Sequence, residues 1–151
     1  MAFLQLKKSV VFVLFFSVLF FILPVAVHAE RLSVTVPKAN IRSGPGSEYD
    51  IIWQVGYYYP LQVVKKSGSW CQFSDYEGDT GWINRQLISS TPTVITVKDK
   101  CNIRSGPGTG NQVVFTADRG VAFKIIAKKD TWIKVQHPDG DLGWIYQSLV
   151  W

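Results

Sequence analysis

The stretch Asn40-Ile41-Arg42-Ser43-Gly44-Pro45-Gly46 decides the architecture, because Asn102-Ile103-Arg104-Ser105-Gly106-Pro107-Gly108 repeats it letter for letter 62 residues later. Sliding residues 34–88 onto 96–150 needs no gap and gives 16 identities in 55 positions, where chance gives roughly three. Trp70 falls on Trp132, Gly78-Asp79 on Gly140-Asp141, Gly81-Trp82-Ile83 on Gly143-Trp144-Ile145, and Leu87 on Leu149. A repeat at one fixed offset is a tandem duplication, so each copy is a reading of the other.

Within the heptapeptide, Ile41 and Ile103 are expected to point inward, with Asn40 and Arg42 on the other strand face. Ser43-Gly44-Pro45-Gly46 reads as a turn. Proline presets its second position, and Gly46 is expected to supply a positive φ at the third. A phosphate-binding loop would need a helix behind the glycines and a following Lys-Ser/Thr, and neither is present.

Working outward, Leu32–Val36 alternates apolar and polar residues as a half-buried strand does. Ile51–Val55, Leu61–Lys65, Trp70–Ser74 and Thr80–Asn84 also read as strands, with a short helical turn expected at Arg85-Gln86-Leu87. Ser89–Thr93 reads as a linker, and Val94–Val97 begins the second copy in the same order. No helical period extends beyond two turns. Many short strands with frequent turns predict an all-β chain of two small, strongly bent barrels.

Residues 1–29 stand apart. Lys7-Lys8 is followed by a nearly unbroken apolar run from Val10 to Val27, then Val27-His28-Ala29 ahead of Glu30. That is a secretory signal pattern. The run approaches the ~20 residues that span a bilayer, so an uncleaved anchor through residues 10–27 stays open beside cleavage after Ala29. The expected organisation is a signal peptide over 1–29, one domain over 31–90 and a second over 94–151. From residue 30 onward the chain has 14 basic and 11 acidic side chains, a net of +3. That mild excess suits an anionic wall or membrane environment and does not call for nucleic acid. Cys71 and Cys101 permit one disulfide in an exported protein. They align with Ile133 and Ala39, apolar positions in different copies, so two buried thiols are the expectation.

Taken together, the duplicated heptapeptide, the Trp70 and Trp132 strands and the two Gly-Trp-Ile runs resemble a pair of bacterial SH3-like domains over residues 31–151. The resemblance implies about five short strands per copy in an SH3-like barrel, and binding rather than catalysis. Family members are often wall-targeting modules attached to peptidoglycan hydrolases, or stand-alone envelope proteins. The second copy fits better, because Gly120 provides the small residue favoured at the diverging turn, where the first copy has Tyr58.

Candidate ligand-binding residues follow from the matched aromatics and from the places where the copies differ. Arg42 and Arg104 either meet an anionic group or fix the turn. Trp70, Trp82, Trp132 and Trp144 either lid the cores or line a groove for an extended peptide or glycan, together with Trp53 and Tyr146. Tyr57-Tyr58-Tyr59 cannot all face one small core. At least one is expected to be exposed, at an interface or between the copies, where the second copy has Arg119-Gly120-Val121. His137-Pro138-Asp139-Gly140-Asp141 aligns with Asp75–Asp79 and reads as a hairpin, so no metal and no cofactor are expected. From residue 30 onward, one histidine and two thiols expected to be buried leave no catalytic constellation.

The chain is therefore expected to be an exported, non-catalytic envelope module recognising peptidoglycan or an extended peptide. The alternative is an assembly protein whose paired barrels pack on each other or on a partner. The expected location is the periplasm or the cell surface.

Overall fold

A computed structural model describes residues 30–151. The leader expected over 1–29 lies outside the described residues. Among those described, no helix is long and apolar enough to cross a membrane.

The first copy runs β1 (Glu30–Val34), β2 (Ala39–Arg42), β3 (Ile51–Val55), β4 (Pro60–Ser67), β5 (Trp70–Ser74) and β6 (Thr80–Asn84). A 3-10 turn over Arg85–Leu87 and the short β7 (Ile88–Ser89) close it. The second runs β8 (Thr93–Ile95), β9 (Cys101–Arg104), β10 (Val113–Ala117), β11 (Ala122–Lys129), β12 (Trp132–Gln136) and β13 (Leu142–Tyr146). A 3-10 turn over Gln147–Leu149 ends it. The strands form two antiparallel sheets, in the orders β3-β2-β6-β5-β4-β1-β7 and β10-β9-β13-β12-β11-β8. The described residues are all β apart from the two 3-10 turns, two small SH3-like barrels in tandem.

Both barrels bend by the same device. The long strands β4 and β11 each carry a bulge against the next strand, between Val63 and Lys65 and between Ile125 and Ala127. An extra residue on one side of a ladder sharpens twist and turns the strand over its own core. The cores then form from alternate residues. Ile41, Leu61, Phe73 and Ile83 are fully buried in one, and Ile103, Phe123, Val135 and Ile145 in the other. The Gly-Trp-Ile runs have a steric cause. A Cβ at Gly81 would run into Ile41 Cγ2, and one at Gly143 into Ile103 Cγ2. Glycine lets the heptapeptide isoleucine seat under the last strand.

Three expectations change. Gly46 does not take a positive φ, although Gly108 does, at 146°. A Cβ at position 46 would meet only the carboxylate of the exposed Glu48, the movable end of a flexible side chain. The linker is shorter than Ser89–Thr93, because Ser89 belongs to β7 and Thr93 to β8. It is also held: Ser33 Oγ donates to Thr91 O at 2.9 Å. Tyr58, finally, builds the same turn as Gly120. It adopts φ +66°, beside +85° at Gly120. Its N–H donates to Val34 O at 2.9 Å, as that of Gly120 donates to Thr96 O at 2.9 Å.

Cys71 and Cys101 are free and buried. Burial pushes both thiols above their ordinary pKa.

The barrels touch. Arg119 Nη2 meets Glu77 Oε1 at 2.8 Å, and its guanidinium lies over the Tyr76 ring, 5.7 Å from the centroid. Arg31 stacks on Trp151 at 3.8 Å.

Candidate functional site

The second barrel carries a groove of about 610 Å³ between the heptapeptide turn and the last strand. Lys100, Asn102 and Arg104 line it from β9 and the residue before it, Gly108 and Thr109 from the turn, Trp132 from β12, Tyr146 from the end of β13, and Leu149 from the 3-10 turn. Strand phase puts them together. Ile103 and Ile133 turn into the core, so their neighbours Asn102, Arg104 and Trp132 face outward. Trp132 pairs with Tyr146 across the ladder, and their rings meet edge to face at 5.4 Å.

The electrostatics are one-sided. Lys100 and Arg104 supply two cations, and no acid lines the groove. Arg104 Nη1 donates to Asn111 O at 2.8 Å, which holds the guanidinium in place and leaves its other N–H groups free of described partners. Lys100 sits in the left-handed region at φ +53°, a strained conformation for lysine.

The offset of 62 places Lys38, Asn40, Arg42, Gly46, Ser47, Trp70, Asn84 and Leu87 at the same positions of the first barrel. Six of the eight are identical and Ser47 stands for Thr109, so the one large change is Asn84 for Tyr146. Asn84 Oδ1 caps the following 3-10 turn, accepting from Gln86 N at 3.0 Å. Tyr146 makes no such cap and exposes 38% of its surface as the groove wall. Arg42 is also more fully engaged than Arg104, with Nη1 donating to Ser47 O at 2.9 Å and Tyr49 O at 2.6 Å.

Of the residues predicted from sequence, Arg104, Trp132 and Tyr146 therefore converge. The others do not join them. Trp82 is buried. Trp53 packs edge-on against Phe73 at 6.2 Å. Trp70 and Trp144 are half-buried on their own barrels. The tyrosine triplet splits three ways. Tyr57 is 42% exposed in a cleft between the barrels, facing Gly120, Val121, His137 and Pro138. Tyr58 is spent on the turn. Tyr59 packs on the first core and donates its hydroxyl to Asp75 Oδ2 at 2.7 Å. Burial first, then that bond, pushes its pKa far above the ordinary phenol value. Sequence reading missed Lys100, Asn102 and Thr109. Their signal was present, since each is matched by an identical or similar residue one repeat earlier.

Two barrels of this topology, each with the outward arginine of its heptapeptide, define a class of small SH3-like β-barrel domains. The chain belongs to the bacterial SH3 domain family, whose profile matches residues 35–90 and again residues 97–151. It is 31% identical over 156 residues to YrvJ of Bacillus subtilis, named as an N-acetylmuramoyl-L-alanine amidase, covering 93% of this chain and 29% of that protein. It is 35% identical over 52 residues to LytH of Staphylococcus epidermidis, named as a cell wall amidase, covering 34% of this chain and 18% of that one. The chain thus spans less than a third of either relative. Among solved structures, an NlpC/P60 family protein from Bacillus cereus aligns with a TM-score of 0.38 at 13% identity, over 80% of this chain and 55% of that one.

Proposed function

We propose that this chain is a non-catalytic module of the cell envelope that binds peptidoglycan or an extended peptide segment, through the Lys100–Tyr146 groove. The observation that carries the reading is the lining of that groove: two aromatic rings, two cations and no acid. Wall polymer presents what such a lining recognises. The apolar faces of its sugars stack on Trp132 and Tyr146. The carboxylates of its peptides meet Lys100 and the free N–H groups of Arg104. Strain at Lys100 supports the reading, since strained backbone recurs where a ligand is gripped. The names of the relatives support the wall as the setting, and the family supports holding rather than cutting. Export to the envelope belongs to the same proposal.

Co-sedimentation of residues 30–151 with purified sacculi tests it. The wild-type chain is expected to pellet, and Trp132→Ala to stay in the supernatant. Failure of the wild-type chain to pellet would sink the wall reading.

The contacts between barrels favour a second reading, an assembly protein that works through its paired barrels. Arg119 with Glu77 and Arg31 with Trp151 hold the two together. On that reading Glu77→Ala disrupts partner capture while Trp132→Ala leaves it intact, the reverse of the first.

A further inference from the structure

The second barrel has another cavity, of about 390 Å³, that the groove does not use. Its floor is apolar: the half-buried Phe115 and Val121, backed by the fully buried Phe123, whose ring centroid lies 6.3 Å from that of Phe115. Asp118, Asp139 and Asp141 stand in its wall, and no lysine or arginine lines it. Arg119, the nearest arginine in sequence, is drawn off by Glu77 Oε1, at 2.8 and 3.2 Å, and by Val97 O at 3.2 Å. The carboxylates of Asp118 and Asp141 bond to no described residue. Asp139 Oδ1 lies beside His137 Nδ1.

The first barrel shows why the space is open. There Tyr59 occupies the place of Val121 and Asp75 that of His137. Tyr59 packs against the first core and its hydroxyl closes on Asp75 at 2.7 Å, while Trp53 stands where the second barrel has the smaller Phe115. With Val121 and His137 the same scaffold leaves a hole. Val121 and His137 also line a second cavity, of about 350 Å³, in the cleft between the barrels, where the exposed Tyr57 lies.

We infer that this cavity takes a primary ammonium on an aliphatic stem, the side chain of a lysine-type diamino acid, with its peptide backbone running out along the cleft past Tyr57. The methylenes cover the half-buried Phe115 and Val121, and the cation reaches the carboxylates of the rim. Carboxylates spread around the rim suit an ammonium, which has three diverging N–H donors, better than the planar fork of a guanidinium. They do not suit a metal ion, since no three ligating groups converge among the described residues. The second barrel then has two faces of opposite sign, and the amine pocket stands whether or not the Lys100–Tyr146 groove binds wall polymer.

The test is two-dimensional NMR of residues 30–151, which hold both sheets and both cores. The probe is the peptide acetyl-Ala-Lys-Ala-amide, beside the same peptide with the lysine Nε-acetylated. The lysine peptide is expected to move the amide signals of Val121, Phe123, His137 and Asp141 while those of Trp132 and Tyr146 stay still. Acetylation is expected to weaken binding about tenfold or more, and Asp118→Asn by a few-fold. Val121→Tyr puts there the tyrosine that the first barrel has and is expected to abolish binding. Should that variant fail to fold, Asp118→Asn, on the exposed rim, carries the decision. Equal binding of the two peptides, signals moving at Trp132 instead, or no response up to about 10 mM peptide would each overturn the inference.

Discussion

The ring of Tyr146 meets that of Trp132 edge to face at 5.4 Å, and the matching residue of the first barrel, Asn84, caps a helical turn instead. One position has thus been given to structure in one copy and to surface in the other. Capping by asparagine is worth about 1 kcal/mol. The second barrel forgoes that and keeps an exposed aromatic wall in a cationic groove.

That trade makes a reciprocal prediction. Tyr146→Asn is expected to restore the cap and raise the stability of the second barrel, yet to weaken binding to sacculi about tenfold, or about 1.4 kcal/mol. Asn84→Tyr is expected to add a ring against Trp70 and strengthen wall binding while costing about 1 kcal/mol of stability. Sedimentation isotherms and urea midpoints check the two sides separately.

Tyr59→Phe removes the hydroxyl that bonds Asp75. Asp75 is 7% exposed and keeps the N–H groups of Glu77 and Asp79, both at 2.9 Å. Loss of one bond to a buried carboxylate is expected to cost about 1.5–3 kcal/mol. The pH dependence has a definite sign. Burial and Asp75 raise the folded-state pKa of Tyr59 above its unfolded value. Its contribution is therefore full below the unfolded phenol value of about 10 and is lost as pH rises beyond it. Stability of the wild-type chain falls on that alkaline side more steeply than that of Tyr59→Phe, as denaturant titrations at several pH values would read.

The diverging turns give a pair of opposite outcomes. Gly120 holds φ +85° with Tyr76 Oη 3.2 Å from where a Cβ would stand. Gly120→Ala is expected to destabilise the chain by about 1–2 kcal/mol. Tyr58 already bears that strain. Tyr58→Gly relieves about 1–2 kcal/mol and costs about 0.5–1 in unfolded-chain entropy, for a net gain of about 0.5 kcal/mol. Shifts of the urea midpoint in opposite directions are the readout.

Buried thiols held above their ordinary pKa are poor nucleophiles. Cys71 and Cys101 are expected to ignore Ellman's reagent in the native chain at neutral pH and both to react once it unfolds. Rapid native-state reaction of either thiol would contradict the packing described.

Much of the fold could be read from the residues. Isoleucine inside and arginine outside followed from strand alternation in Asn40-Ile41-Arg42, and the thiols were placed by aligning Cys71 with Ile133. The site was less legible. Arg104, Trp132 and Tyr146 were recognisable as candidates, yet so were Trp53, which packs on the first core, and Trp82, which is buried beside Arg42. Aromatic residues at matched positions look alike in sequence, whether a ring turns in to meet Phe73 or out to meet Tyr146. The tyrosine triplet marked a real difference between the copies, but not its form. The positive φ of Tyr58 and the bond from Tyr59 to Asp75 depend on strands that meet only after the barrel closes.

By itself, then, the chain's order of residues determined the duplication, the all-β class and the inward and outward faces of each strand. These are local properties of turn chemistry and side-chain period, and two copies record them twice. Only the tertiary structure decided which outward residues meet. Lys100, Thr109, Trp132 and Tyr146 are spread over almost fifty positions, and the curvature of bulged strands brings them to one groove. The same closure brings Tyr59 onto Asp75 in one barrel and leaves a cavity beside Val121 in the other, because packing depends on the volume that facing side chains share.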